Sequence, residues 1–194
     1  CDEWVECKSD YSVLFNSISG DELAKASTKG LDFKEMLEHA RNIGSPSLKQ
    51  LTFHERARLL KSLALYLTSK KDDFYQVSWA TGATKVDSWI DIEGGIGNLF
   101  AYASKGRREL PDTSFYVDGK PEPLSRKGSF IGHHICVPKE GVAIHINAYN
   151  FPVWGMLEKI AVNLLAGVPA IVKPATVTSF LTEAVFKEII KSDI

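Results

Sequence analysis

Two short segments place polar side chains where an α/β protein can use them. The first, Asn147-Ala148-Tyr149-Asn150-Phe151-Pro152, follows the apolar run Gly141 to Asn147 and precedes a helical run that begins at Pro152. The end of a parallel strand and the start of the next helix form the crevice in which α/β folds bind ligands. Asn150 offers there a neutral amide that can donate to a developing oxyanion without needing a shifted pKa. An Asn before a helix is also an ordinary N-cap that satisfies free N–H groups, and spacing alone leaves both readings open. The second segment, Lys173-Pro174-Ala175-Thr176, closes the apolar run Ala170 to Lys173. A Lys at that sheet edge can donate to a sugar hydroxyl or a phosphate; it can equally be a solvated strand end.

Other suggestive residues read as structure. Gly94-Gly95-Ile96-Gly97 does not make a phosphate loop, because a GxGxxG from Gly95 would need Gly where Phe100 stands, and no apolar strand precedes it. Those glycines are expected to let a helix pack closely on a neighbour. His133, His134 and Cys136 invite a metal reading, but in a strand His133 faces away from the other two and no further ligand cluster lies nearby, so no metal is expected. Cys136, between Ile135 and Val137 with no helix N-terminus to lower its pKa, is expected to be a small buried apolar residue rather than a nucleophile.

The elements that must position these residues follow from periodicity and caps. Asp32 to Asn42 reads as a helix, with Asp32 and Glu35 at capping-box spacing and Gly44 as its stop. Thr52 to Lys70 is a second, with Thr52 and Glu55 as caps and Phe53, Ala57, Leu60, Ala64 and Leu67 on one stripe. Asp72 to Thr81 reads as a third, stopped by Gly82. A long helical stretch from Asp87 to about Lys105 is interrupted by its glycines. Phe115 to Val117, a turn at Asp118–Gly119 and Ser129 to Val137 read as a hairpin. From Gly141 onward the order is strand, helix (Pro152 to Leu165, stopped by Gly167), strand (Ala170 to Lys173) and helix (Ser179 to Lys191), a βαβα unit and hence a parallel sheet. The expected organisation is a helical region over about residues 1–110, a hairpin of oligomerisation type over about 111–138, and the start of a nucleotide-binding βαβα unit over about 139–194.

Bulk properties exclude several classes. A net charge of −1 over 194 residues gives no footprint for nucleic acid or an anionic membrane surface. No apolar run approaches the roughly 20 residues that span a bilayer, and Cys1 to Asp10 is too polar for a signal peptide. Three cysteines (Cys1, Cys7 and Cys136) without CxxC or metal-ligand spacing argue against a disulfide framework and for a reducing, cytoplasmic setting. The first residue, Cys1, and the helix-like run at the other end read as cuts in a longer protein.

The paired segments resemble the aldehyde dehydrogenase superfamily. Gly141-Val-Ala-Ile-His-Ile-Asn-Ala-Tyr-Asn-Phe-Pro152 is similar to its GVxxxIxPWNFP element, with Pro138 just upstream, and Pro169-Ala-Ile-Val-Lys-Pro-Ala175 is similar to its strand ending in KPA or KPS. The resemblance extends upstream through Arg56 to Thr81. Thr81-Gly-Ala-Thr84, Asp87-Ser-Trp-Ile-Asp-Ile-Glu-Gly-Gly-Ile-Gly97 and Asn150-Phe-Pro-Val-Trp-Gly-Met-Leu-Glu-Lys159 are most similar to one subgroup. It comprises the dehydrogenase domains of PaaZ-type bifunctional proteins of phenylacetate degradation (oxepin-CoA hydrolase joined to 3-oxo-5,6-dehydrosuberyl-CoA semialdehyde dehydrogenase) and the semialdehyde dehydrogenases of benzoyl-CoA breakdown. Ala148 and Tyr149 depart from the family's usual Pro-Trp, and Thr176 stands where many NAD-dependent members carry Glu.

The resemblance implies an α/β, aldehyde dehydrogenase-like fold: N-terminal helices and a hairpin region, followed by the start of a parallel-sheet nucleotide-binding domain. It implies NAD(P)-dependent oxidation of a small-molecule aldehyde, CoA-linked in that subgroup, through a cysteine thiohemiacetal, in a homo-oligomer when full length. Asn150 would be the oxyanion donor. Ile146, Asn147, Ala148, Tyr149, Lys173 and Thr176 would line the cofactor, with NADP expected and NAD as the alternative. In the family the nucleophilic Cys and the water-activating Glu lie further along, so these 194 residues alone are expected to be inactive. A competing class is a non-catalytic nucleotide-binding or oligomerisation module.

Overall fold

Three of the helix starts in this chain are fixed by cap side chains of their own that accept hydrogen bonds from otherwise free N–H groups. In the computed structural model, which describes residues 4–6 and 8–194, helix α1 (Phe33–His39) is capped by Asp32, which accepts from the backbone of Lys34 and Glu35. The chain does not stop at Gly44 as expected. A π-helical segment, Ala40–Gly44, leads directly into α2 (Ser45–Gln50). Gly44 stays helical and lets Pro169 approach, since a Cβ there would stand 3.2 Å from the Pro169 ring. The glycine serves a close approach instead of a left-handed stop.

Helix α3 (Phe53–Ser69) begins with the anticipated capping box, in which Glu55 N–H donates to Thr52 Oγ1 (3.1 Å) and Thr52 N–H to Glu55 Oε2 (2.8 Å). Helix α4 (Lys71–Ser78) runs into a 3₁₀ turn, Trp79–Thr81, which Gly82 ends at φ +81°. Helix α5 spans Lys85–Glu109 without a break, so the expected interruption at Gly94, Gly95 and Gly97 does not occur. Its start is a Thr84–Asp87 capping box, so the helix begins at Lys85, two residues before the expected Asp87. The helix survives three glycines because Ile92, Ile96, Leu99 and Ala103 are buried along it, and packing of that stripe outweighs the cost of about 1 kcal/mol per glycine inside a helix.

Two antiparallel ribbons flank this helical layer. Strands β1 (Ser12–Phe15) and β2 (Glu22–Ala26) pair from Ser12↔Ala26 to Phe15↔Glu22, a hairpin that the sequence reading did not anticipate. Strands β3 (Tyr116–Pro123) and β4 (Ile131–Cys136) form the anticipated one, but its turn is not Asp118–Gly119. Those residues sit at a register irregularity between Asp118 and Glu122, with Gly119 at φ +73°, and the chain reverses over 124–130. A glycine with positive φ inside a strand makes a bulge as readily as a hairpin turn. Cys136 is exposed, against expectation, because this ribbon is largely open to solvent on both faces. Its apolar side chains Phe130, Ile131, Ile135 and Val137 are more than half exposed. Cys1 and Cys7 lie outside the described residues.

The third layer is the expected parallel pair. Strand β5 (Ala143–Ile146) and strand β6 (Ala170–Lys173) align Ala143↔Ala170 through Ile146↔Lys173, joined by helix α6 (Pro152–Leu165). Helix α7 (Ser179–Lys191) follows. The core lies between α3, α5, α6 and α7, where Ala57, Leu60, Leu67, Ile92, Leu99, Val153, Met156, Leu157 and Val185 are all within 2% of complete burial. Truncating any one of the large members would cost about 2–5 kcal/mol. Helix α5 is therefore the beam against which α6 is set, and through α6 the loop that carries Asn150. Among the described residues no helix is long and apolar enough to cross a membrane.

Candidate active site

The candidate site is the edge where β5 and β6 both end. Asn147 N–H donates to Lys173 O (3.1 Å), extending the parallel ladder by one bond, and Thr178 Oγ1 donates to Tyr149 O (3.1 Å). These two bonds hold the loop after β5 beside the loop after β6. The segments around Asn150 and Lys173, 23 residues apart by their numbering, thus meet at one edge of the sheet.

Most of the sequence-predicted residues present themselves there. Ile146, Ala148, Tyr149, Asn150, Lys173 and Thr176 are all exposed. Asn147 is placed differently: its side chain is buried, turned toward α6 near Gly155, and its amide O and N have no hydrogen-bond partner. The alternation of a strand requires this, since Asn147 shares the face of His145 while Ile144 and Ile146 take the other.

Asn150 does not cap α6. Phe151 occupies the cap position without a side-chain bond, and among the described residues the Asn150 amide makes no hydrogen bond. The cap comes from α5. Asp91, 3% exposed, accepts from Val153 N–H (3.0 Å) and Trp154 N–H (2.7 Å) through one oxygen, Oδ1. Burial pushes this carboxyl up and the two N–H donors pull it down, leaving it at about 6. Sequence reasoning missed Asp91 because a cap supplied by another helix leaves no local spacing to detect. Thr176 likewise caps nothing: neither the 3₁₀ turn Thr176–Thr178 nor α7 has a side-chain cap, so its hydroxyl is open to a ligand. Lys173 has no carboxylate partner among the described residues, which leaves its ammonium available to an anion.

Gly94 and Gly95 do what was expected of them. The Trp154 ring lies across Gly94, and a Cβ on Gly95 would stand 3.0 Å from the Trp154 backbone. Gly97 faces open space.

Behind the sheet edge, an open cavity of about 500 Å³ is lined by Asn98, Tyr102, His145, Glu158, Lys159 and Asn163. Asn163 Nδ2 lies 2.6 Å from His145 Nε2, so the amide donates to a neutral imidazole; burial, then the nearby Lys159 charge, lowers the His145 pKa. Among the described residues no cluster of three or more His, Cys, Asp or Glu is placed to hold a metal, and His133 meets only Gly119 O (3.3 Å).

The profile of the aldehyde dehydrogenase family matches residues 4–193, and the chain belongs to that family. The chain is 36% identical over 193 residues to 3,4-dehydroadipyl-CoA semialdehyde dehydrogenase of Aromatoleum evansii, covering 99% of this chain and 37% of that protein. It is 24% identical to the NADP(+) succinate-semialdehyde dehydrogenase of Escherichia coli K12, over 99% of this chain and 38% of that one. A crystal structure of an NADP-dependent enzyme from E. coli superposes with a TM-score of 0.75 at 21% identity, over 99% of this chain and 38% of that chain. The chain thus spans little more than a third of the length of these relatives.

Proposed function

We propose that this chain contributes the oxyanion donor and part of the cofactor-binding edge to a dehydrogenase that oxidises a CoA-linked semialdehyde to its acid. The observation that carries the reading is the state of Asn150. It is an exposed amide with no bond of its own among the described residues, at the end of a parallel strand, while Asp91 does the capping that would otherwise account for it. An uncommitted amide can donate to an aldehyde oxygen as negative charge develops there. The bound nicotinamide would supply the hydride acceptor. Lys173 and Thr176 would hold its adenosine end, and the absence of a carboxylate at position 176 favours a 2′-phosphate, hence NADP. Ile146, Ala148 and Tyr149 would line the same edge, with Asn147 supporting it from beneath.

The attacking thiol, through which the thiohemiacetal forms, would come from residues beyond these. Cys136 lies exposed on the β3–β4 ribbon, not on the β5–β6 edge that carries Asn150 and Lys173. The open apolar ribbon suits an interface between copies of the full-length protein.

Support for the CoA-linked substrate comes from the 36% identity to the Aromatoleum relative and from the Asn150–Lys159 stretch. That stretch also carries the PaaZ-type kinship, which remains part of this proposal. The test is a substrate panel on the full-length enzyme, comparing kcat/KM for an acyl-CoA semialdehyde and for the same semialdehyde without CoA. A preference of at least about tenfold for the CoA-linked form, equivalent to roughly 1.4 kcal/mol of differential transition-state binding, supports the reading. Equal values would overturn the CoA assignment.

A further inference from the structure

Helix α6 begins without a cap of its own. The Phe151 side chain offers no acceptor and Pro152 has no N–H, so the first amides needing a partner are those of Val153 and Trp154. Both are satisfied by Asp91 Oδ1, on a helix about 60 residues upstream, at 3.0 and 2.7 Å. Three and four residues beyond Asp91 on the same face of α5, Gly94 and Gly95 receive Trp154: its ring crosses the first and its backbone rests on the second. The Trp154 indole is fixed in turn by donating to Glu158 Oε2 (2.8 Å). One face of α5 therefore holds the first turn of α6 by an acceptor and by a recess that only glycine can provide.

Asn150 sits between two fixed points. On its N-terminal side Tyr149 O is held by Thr178 (3.1 Å), and on its C-terminal side Val153 and Trp154 are held by Asp91. Its own amide is not anchored among the described residues, so where it points is decided by the backbone between those bonds. We propose that Asp91 is a positioning residue for the Asn150 amide: its double acceptance at Val153 and Trp154, on the Gly94–Gly95 recess, sets the location of the oxyanion donor. This rests on the reading of Asn150 given above.

The test uses the full-length enzyme with Asp91→Asn, Asp91→Leu, Asn150→Ala and the Asp91→Leu/Asn150→Ala double variant. Asp91→Asn keeps an acceptor oxygen and should retain kcat within about threefold. Asp91→Leu removes it at similar volume and should lower kcat by about 10–100-fold, the range that a displacement near 1 Å produces, with cofactor KM little changed. Hydrogen exchange at the Val153 and Trp154 amides should quicken in the Leu variant and not in the Asn variant. The double variant should be no slower than Asn150→Ala, because Asp91 acts through Asn150.

Multiplying effects, an Asn variant as impaired as the Leu variant, or full activity in Asp91→Leu despite fast exchange at 153–154 would each overturn the proposal. Wild-type kcat in Asn150→Ala would instead overturn the reading beneath it. Should Asp91→Leu fail to fold, Asp91→Ser, too short to reach both amides, takes its place with the same expectations.

Discussion

Replacing Asp91 by Asn should stabilise the protein near neutral pH, and the gain should vanish in acid. Asp91 is a nearly buried carboxyl whose pKa stands at about 6 against an ordinary 3.8. An acid raised by that margin is destabilised in its charged form by about 3 kcal/mol, at 1.36 kcal/mol per pKa unit. The direction follows from proton binding. Between pH 4 and 6 the folded carboxyl holds a proton that the unfolded one has released, so stability falls as pH rises through this window. Below it both states are protonated and the penalty is absent; above it both are ionised and the penalty is complete.

Asparagine keeps the acceptor and carries no charge; it gives up the strengthening that charge lends to the two N–H bonds and brings two amide donors into a nearly buried site, both of which offset part of the gain. The expected gain is about 1–3 kcal/mol at pH 8, shrinking toward zero near pH 4. Urea unfolding of both proteins at pH 4, 6 and 8, at constant ionic strength, reads this directly. Taking the difference between the two proteins cancels His145 and every other titrating group. A variant less stable than wild type at pH 8, or a difference that does not change with pH, would refute the reasoning.

Two further outcomes follow from the same structure. Gly167 has φ +78°, and a Cβ there would collide with Arg56 Nη1, a buried group that donates to Leu48 O (3.1 Å). Gly167→Ala should therefore cost about 2–4 kcal/mol, of which the left-handed backbone accounts for about 1–2, and a loss below about 0.5 kcal/mol in urea would show that the turn relaxes freely. Thr176→Glu should shift kcat/KM of the full-length enzyme toward NAD by about tenfold to a hundredfold, through repulsion of a 2′-phosphate; an unchanged ratio would remove position 176 from cofactor choice.

The parts of the fold that were legible in the sequence are those dictated by local chemistry. The Thr52–Glu55 capping box, the Gly82 stop and the strand–helix–strand order from Gly141 are each encoded within a few residues of where they act, and the structure places them as read. What failed depended on distant neighbours. Gly44 looks like a stop until Pro169 is packed against it, and the glycines of α5 look like interruptions until Trp154 fills their recess. Cys136 looks buried because it sits among apolar residues, but a two-stranded ribbon largely open on both faces buries none of them deeply.

At the site, the strand ends that bring Asn150 and Lys173 together were legible from periodicity. Asp91 was not: an acid in an amphipathic helix reads as a solvated side chain, and nothing in the sequence around it points to amides about 60 residues downstream. His145 was passed over in the same way, as one residue of an apolar run rather than the inward-facing partner of Asn163.

The claim on which the account turns is that Asn150 donates to the oxyanion. The most direct measurement is single-turnover aldehyde oxidation by the full-length enzyme and its Asn150→Ala variant, at saturating cofactor, with fold and cofactor affinity confirmed unchanged. The account expects the chemical step to slow by about 10²–10³, the usual consequence of losing one oxyanion donor. A wild-type rate in Asn150→Ala would contradict it.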